Sequence, residues 1–356
     1  LTEDSKLEKF LNYALSDDLD ISDFEEKFFD IREKYNESSL VGGKKNNSGL
    51  ADVGSDTGKA LFERKTNAID AVLEYHYEKD NDSEKNQINS PKEAVKKWFD
   101  IDIEQGLKSL NKGTRQKLAK DTSILKYLPG NGPDKRIIDI IDNGIGISQK
   151  EFENTILSYN EDNKLGKFHC MGQFGQGGSA SLKFAPYTLI VSKKEGSENI
   201  SFTLIWYNHP KENERLKRGS YVFLSKNELP ISIQSKNINL PFDKGTLIRH
   251  VGYQLTKYTS SMGQNSIYML AQKTLFNPPL PFYFINKVNN YNRTIKGTRA
   301  ALLGALDPED TASKLDIKYS ETIADKKILG GKLGSVKIEY WLVNKKKSYY
   351  DEKKKK

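Results

Sequence analysis

Apolar residues recur at helical spacing over residues 3–14, at Leu7, Phe10, Leu11 and Ala14, and again over 22–35, at Phe24, Phe28, Phe29 and Ile31. Both stretches predict amphipathic helices. Residues 40–58 lose this spacing and fill with Gly, Asn, Ser and Asp, the composition of a flexible loop. A helix is predicted from about Gly58 to Tyr77, followed by a polar loop over 79–90. Ser90-Pro91 opens another helix, running to about Leu110, with proline at the first helical position, where its missing N–H costs nothing. Arg136 to Asp142 reads as a compact apolar strand ending in Asn143-Gly144, and 148–158 as a short helix with Ser148 as its N-cap. Residues 159–178 are loop-like and glycine-rich, and 179–185 resume an apolar pattern. Strands are predicted at 186–193, 201–207, 219–224 and 245–251, then a helix at 264–275 leading to Asn277-Pro278-Pro279 and a strand at 281–286. Small apolar residues return over 296–304, and strong period-two alternation over 335–343. There is no internal repeat. Helices combined with strands on hairpin-length connections predict an α+β sandwich, a mixed sheet with helices on one face, rather than a parallel doubly wound sheet.

Composition narrows the class. With 356 residues, two domains or one enlarged domain are expected. An aromatic content of 10% argues against general disorder. The single cysteine, Cys170, cannot form an internal disulfide, which disfavours oxidising export, and it reads as an inert small side chain. No apolar run approaches the ~18–20 residues that span a bilayer. Leu1 to Phe10 is acidic and has no apolar core, so a signal peptide is not expected and a soluble cytoplasmic (in a eukaryote, nuclear) protein is. The first residue is Leu rather than Met, as in a trimmed or partial chain. The net charge of +8 invites anionic partners such as nucleic acid, although Lys345–Lys347 and Lys353–Lys356 concentrate much of the excess in a tail that is equally suited to simple solvation.

Three segments carry candidate chemistry. Glu63, Asn67 and Asp70 fall at i, i+4 and i+7 of the predicted helix and share one stripe, while Leu61, Ala68 and Val72 face the core. A carboxamide oxygen can ligate Mg²⁺, and a carboxylate one turn away can orient or deprotonate water. The same spacing also describes an ordinary solvated face. Asp142-Asn143-Gly144-Ile145-Gly146 follows the apolar strand directly. An acid at a buried strand end needs a partner, and an adenine amino group is one; a plain Asn-Gly turn is the simpler reading. Gly172-Gln173-Phe174-Gly175-Gln176-Gly177-Gly178 precedes a helical pattern, so its backbone N–H groups can hold phosphates, or it can be a mobile linker. Gly245-Thr246 opens a later strand, where a hydroxyl can complete a purine site.

In this order the four pieces resemble the GHKL ATPases, the class of gyrase B, MutL, MORC proteins and the heat-shock-ninety chaperones. The helix motif matches at Glu63, Asn67, Ala68, Asp70 and Ala71, the Asp-x-Gly-x-Gly motif at Asp142, Gly144 and Gly146, the glycine-rich motif at Gly172, Gly175 and Gly177, and the late Gly-Thr at Gly245 and Thr246. The resemblance spans roughly 58–286. Leu157-Ser158-Tyr159, Lys164 and Gly172-Gln173-Phe174-Gly175 look most like MORC-type members. It implies a Bergerat-type ATPase domain over 58–290 with an insertion at 79–134, an N-terminal helical segment at 1–57, and the start of a transducer-like α/β domain over 291–356. It also implies ATP and Mg²⁺ as cofactors. Glu63 would activate the attacking water and Asn67 would hold Mg²⁺. Asp142 would accept the adenine amino group, with Thr246 beside it through water. Asp70, Gly144, Gly146 and Lys164 would belong to the nucleotide site. The phosphates would lie on the amides of Gln173, Phe174, Gly175, Gln176, Gly177 and Gly178, after Gly172.

The functional expectation is an ATP-gated homodimerising clamp or switch, working on nucleic acid. A role in bacterial defence extends the MORC resemblance further. The alternatives are a chaperone-like ATPase with protein clients and an ATP-binding scaffold that does not hydrolyse. A sensor histidine kinase is disfavoured, because Glu63 is present and no His precedes Asn67. Gly54 to Ala60 superficially resembles a P-loop but is too short between glycines and has Ala60 in place of the required hydroxyl residue. His76, His169, His209 and His250 show no metal-ligand spacing, and no paired cysteines exist for zinc.

Overall fold

The first two periodic stretches fold as α1 (Glu3–Ala14) and α2 (Ile21–Tyr35). Helix α2 buries Ile21, Phe24, Phe28 and Ile31 and turns Phe29 outward. The computed structural model describes residues 3–35, 37–51, 56–81, 85, 87–132, 135–158, 166–172, 178–210, 218–260, 263, 265–305, 317–327 and 335–343. The stretch predicted as loop over 40–58 holds the end of a short strand, β1 (Ser38–Leu40), and helix α3 (Asn47–Ala51). Buried Asn47 accounts for this order. Its side-chain amide donates to the carbonyls of Val41 and Tyr221, and its carbonyl accepts the Tyr221 N–H, bonds that polar composition alone does not reveal.

Helix α4 (Thr57–Lys79) is capped by the Asp56 carboxylate, which accepts the Lys59 N–H. The helix predicted over 91–110 ends early as α5 (Pro91–Phe99), at Asp100 in the left-handed conformation, and a second helix, α6 (Lys112–Thr122), follows; the expected insertion at 79–134 also takes in Ser123–Leu128, a strand of the main sheet. The strands are β2 (Ser123–Leu128), β3 (Lys135–Asp142), β4 (Tyr187–Lys193), β5 (Asn199–Asn208), β6 (Ser220–Leu224), β7 (Ile231–Gln234), β8 (Gly245–Gln254), β9 (Phe282–Asn286) and β10 (Tyr291–Ile295). They form one sheet in the order β1-β6-β5-β4-β8-β3-β2-β9-β10, with β7 beside β5. The β2–β9 pair is parallel and the other pairs are antiparallel, so the sheet is mixed. Helices α7 (Ile267–Thr274) and α8 (Gly297–Ala305) follow β8 and β10, and a separate hairpin joins β11 (Ile317–Lys327) to β12 (Ser335–Val343). Strand β10 pairs with β9 on the far side of the expected boundary at residue 290, so the main sheet runs on to Ile295.

The main helical layer covers one face, where Leu61, Phe62 and Ala68 of α4 and Ile267 and Ala271 of α7 pack on Ile138, Ile140, Ile190, Ile205 and Phe223. Helices α1 and α2 close the other face, with Leu7, Phe10, Phe24 and Phe28 against Leu189, Val191, Phe202, Leu204 and Trp206. Strand β4 therefore reads as a continuous apolar run, Leu189-Ile190-Val191, because both of its sides are buried. No helix among the described residues is long and apolar enough to cross a membrane.

Arg249 of β8, fully buried, pins the second face. Its Nε and Nη2 donate to the two carboxylate oxygens of Asp139, each at 2.7 Å, across the β3–β8 pair. Its Nη1 donates to the carbonyls of Ala14 and Ser16 at the end of α1, where a cation meets the negative pole of the helix. Replacing Arg249 with Leu would strand the Asp139 charge and leave those carbonyls without their donor. We expect Arg249→Leu to lower unfolding stability in urea by about 3–5 kcal/mol, with part of the loss restored by adding Asp139→Leu. An unchanged midpoint in the single variant would contradict this role.

Candidate functional site

Helix α4 turns its apolar residues inward and leaves one polar stripe. Glu63 is exposed, Asn67 is half-buried and Asp70 is 2% exposed, so the stripe descends from solvent into the protein. The Asp70 carboxylate accepts the Met171 N–H on one oxygen at 2.7 Å and the Gly172 N–H on the other at 3.1 Å. Asp70 thereby fastens the start of the glycine-rich segment to α4. Lys164 and residues 173–177, which include Gln173, Phe174, Gly175, Gln176 and Gly177, lie outside the described residues. Gly178 opens a 3₁₀ turn, Gly178–Phe184, tied to α4 by a hydrogen bond from Arg64 Nε to Ser181 Oγ.

A row of four buried polar side chains crosses the sheet at one end. Ser123 of β2 lies opposite Asp142 of β3, Asp142 opposite Thr246 of β8, and Thr246 opposite Ser192 of β4. None of the four is more than 5% exposed. In-register residues point to the same side of a sheet, and Ile138 and Ile140, at two-residue steps from Asp142, face the α4 layer. The row therefore lies beneath α4. Ser192 joins its neighbours: its hydroxyl donates to the Gly245 carbonyl, contacts the Thr246 hydroxyl at 2.9 Å, and accepts the Ile147 N–H at 2.8 Å.

The turn after Asp142 requires its glycines. A Cβ on Gly144 would come within 2.5 Å of the Ala71 backbone, where the turn docks on α4 through the Ile145 N–H and the Ala71 carbonyl. Gly146 has φ +69°, a region that favours glycine, and a Cβ there would meet the Lys193 carbonyl oxygen at 2.1 Å. The turn thus locks β3, β4 and α4 together around Asp142.

Burial pushes the Asp142 carboxyl up to about 7, against the N–H groups of Gly144 and Thr246 and the cation of Lys65, which favour the ionised form. Burial equally pulls the Lys65 ammonium down to about 7, against the attraction of Asp142. The Lys65 ammonium donates to Ser123 Oγ, whose own O–H donates to the Ile141 carbonyl, and lies over the Phe282 ring at 4.6 Å from its centroid. Lys65, Ser123 and Ser192 are absent from the sequence expectation. One signal was present for Lys65, which lies four residues after Leu61 and four before Ile69, on the apolar stripe of α4. Nothing local marks either serine, because their roles come from strand register.

The polar row and the docked turn lie beneath α4, whose stripe carries oxygen donors at its solvent end and, in Asp142 below, a buried carboxyl as acceptor. Residues 119–228 match the family model described as histidine kinase-, DNA gyrase B-, and HSP90-like ATPase. That segment contains Asp142, Gly144, Gly146 and the glycine-rich motif, while Glu63 and Asn67 precede it and Thr246 follows it. No curated protein matches the chain. The mixed sheet and its helical layer agree with this match, which supports a GHKL-type ATPase domain within the chain.

Proposed function

We propose that this domain binds ATP with Mg²⁺ and hydrolyses the γ-phosphate. The observation that carries this reading is the Asp142 carboxylate, buried at a strand end among N–H donors and a distant lysine, with no direct ion pair described for it. An adenine amino group is the donor such an oxygen lacks. Thr246, one strand away with its hydroxyl fixed by Ser192, supports a purine edge at the same level.

The carboxamide oxygen of Asn67 fits Mg²⁺, which prefers oxygen and keeps several waters; Asn67 would hold the ion, whose positive charge would offset the charge of the phosphates. Glu63 is exposed at the solvent end of the stripe, where it can reach a water molecule and take its proton. Asp70, with both oxygens engaged by Met171 and Gly172, would hold the entry to the phosphate-binding amides rather than touch nucleotide. ATP binding would bring two protomers together and hydrolysis would release them, as in nucleotide-driven clamps. The excess of 56 Lys and Arg over 48 Asp and Glu supports nucleic acid as the working partner.

Phosphate release from Mg·ATP should fall at least ~100-fold in Glu63→Ala while ATP binding persists, a loss on the scale of general-base removal. Retained turnover in that variant would assign the base elsewhere, and duplex DNA should stimulate the wild type. Affinity for ATP should also depend on pH. Asp142 must be ionised to accept the amino group, and burial favours its protonated form, so affinity is full above about pH 7 and falls as pH drops through that value. Calorimetry should show the affinity approaching a tenfold loss per pH unit below 7, relative to Asp142→Asn. The same slope in both proteins would exclude Asp142 as its source.

A further inference from the structure

One turn beyond Asp70, helix α4 brings a second polar group against the segment that leads into the glycine-rich motif. His169 Nε2 is 2.6 Å from Oε2 of Glu74, and Cys170 Sγ is 3.8 Å from the same oxygen. One ligand atom from each of the three residues lies within 4.8 Å of the others. His169 and Cys170 are buried, and the Glu74 side chain is 13% exposed. The Tyr77 ring stacks on the His169 imidazole at 4.0 Å between centroids and 11° between planes, which fixes the direction of Nε2. Lys167 occupies the other oxygen of Glu74, Oε1, and leaves Oε2 to the imidazole and the thiol. Two groups that can each give up a proton therefore converge on a single carboxylate oxygen.

We propose that Glu74, His169 and Cys170 form a zinc site that cross-links α4 to the base of the glycine-rich segment. The donor set is nitrogen, sulfur and oxygen, the mixture zinc accepts in tetrahedral sites. On binding, the cation replaces one proton: the Cys170 thiol becomes a thiolate, Nε2 of neutral His169 gives its lone pair with the ring's one proton on Nδ1, and Glu74 gives Oε2. The thiolate and carboxylate balance the charge of a divalent ion, and water takes the fourth position. Lys167 stays on Oε1 as an outer partner that orients the carboxylate.

The two contacts to Glu74 require only small movements, and the imidazole and thiol already lie within 4.8 Å of each other. Tetrahedral ligands at ordinary zinc distances sit about 3.3 Å apart for nitrogen and oxygen and about 3.6 Å apart for sulfur and oxygen. The observed 2.6 and 3.8 Å thus change by well under about 1 Å each. The three residues escape any spacing rule because Glu74 lies 95 residues before His169, so tertiary contact alone assembles them. The proposal stands apart from nucleotide binding, since no ligand belongs to the Asp142 row or to the Glu63–Asn67 pair. Its structural effect would be a second fastening, beside the two N–H bonds at Asp70, on the segment from Lys167 to Gly172.

The test uses the whole chain, stripped of metal with a chelator and titrated with Co²⁺ as the spectroscopic stand-in for zinc. One equivalent should bind with thiolate-to-cobalt charge-transfer absorption, and Zn²⁺ should displace it. Cys170→Ser should lose that absorption, and His169→Ala should weaken binding at least about tenfold. Cys170 is the only cysteine, so its alkylation rate gives a readout in unmutated protein, and stoichiometric Zn²⁺ should slow it at least about tenfold. Cobalt binding without thiolate charge transfer, or a thiol whose alkylation zinc leaves unchanged, would overturn the proposal and leave a hydrogen-bonded clamp with no metal.

Discussion

Asp142 loses its water on folding, and the loss of hydration of a carboxylate costs several kcal/mol unless donors replace it. Much of the architecture near the site answers that requirement. The turn after β3 folds back so that the Gly144 N–H reaches the carboxylate, and this return is possible only because the turn docks against Ala71 of α4 without a side chain between them. Strand β8 supplies the Thr246 N–H from the other side, and Ser192 on β4 holds that strand end in place. Lys65 adds a cation from above, but it too is buried, so each of the two groups is drawn toward neutrality and neither fully satisfies the other. A carboxylate kept in this condition is poised to accept a hydrogen bond from a ligand, which is the basis of the ATP proposal.

Helix α4 links that floor to everything else. Its inward residues, Leu61, Phe62 and Ala68, belong to the core that the sheet shares, while its polar stripe runs from exposed Glu63 through Asn67 and Asp70 to Glu74 and Tyr77. The lower half of the stripe holds the segment 167–172 by backbone N–H bonds at Asp70 and side-chain contacts at Glu74 and Tyr77. A displacement of that segment would therefore act on the same rigid element that presents Glu63. On the opposite face, Arg249 performs a comparable function, tying α1 to the sheet through Asp139.

The legibility of the sequence followed the range of the forces involved. Helix α4, strand β3 and strand β12 were visible because each has its own periodicity or apolar run, and the α+β class followed from their arrangement. Strands β7 and β10 were not, because Ile231–Gln234 is only four residues long and Tyr291–Ile295 is an edge strand whose exposed Asn292 and Arg293 hide its alternation. The short helix and strand near residue 40 depend on Asn47 bonding to Tyr221, a contact spanning 174 residues. The motif residues of the site stood out by type and order, whereas Ser123 and Ser192 acquire meaning only from strand register, and Lys65 showed only as a lysine on the apolar stripe of α4. The Glu74–His169–Cys170 group was invisible for the same reason.

The central claim is that Asp142 reads an amino donor on a purine. Calorimetric titration at pH 8, where Asp142 is ionised, can compare ATP with inosine triphosphate, which differs at the purine six-position by carrying a carbonyl in place of the amino group. A carbonyl facing a buried carboxylate leaves two acceptors opposed, so the account predicts that ATP binds at least about tenfold more tightly. Equal affinity for the two nucleotides would contradict it.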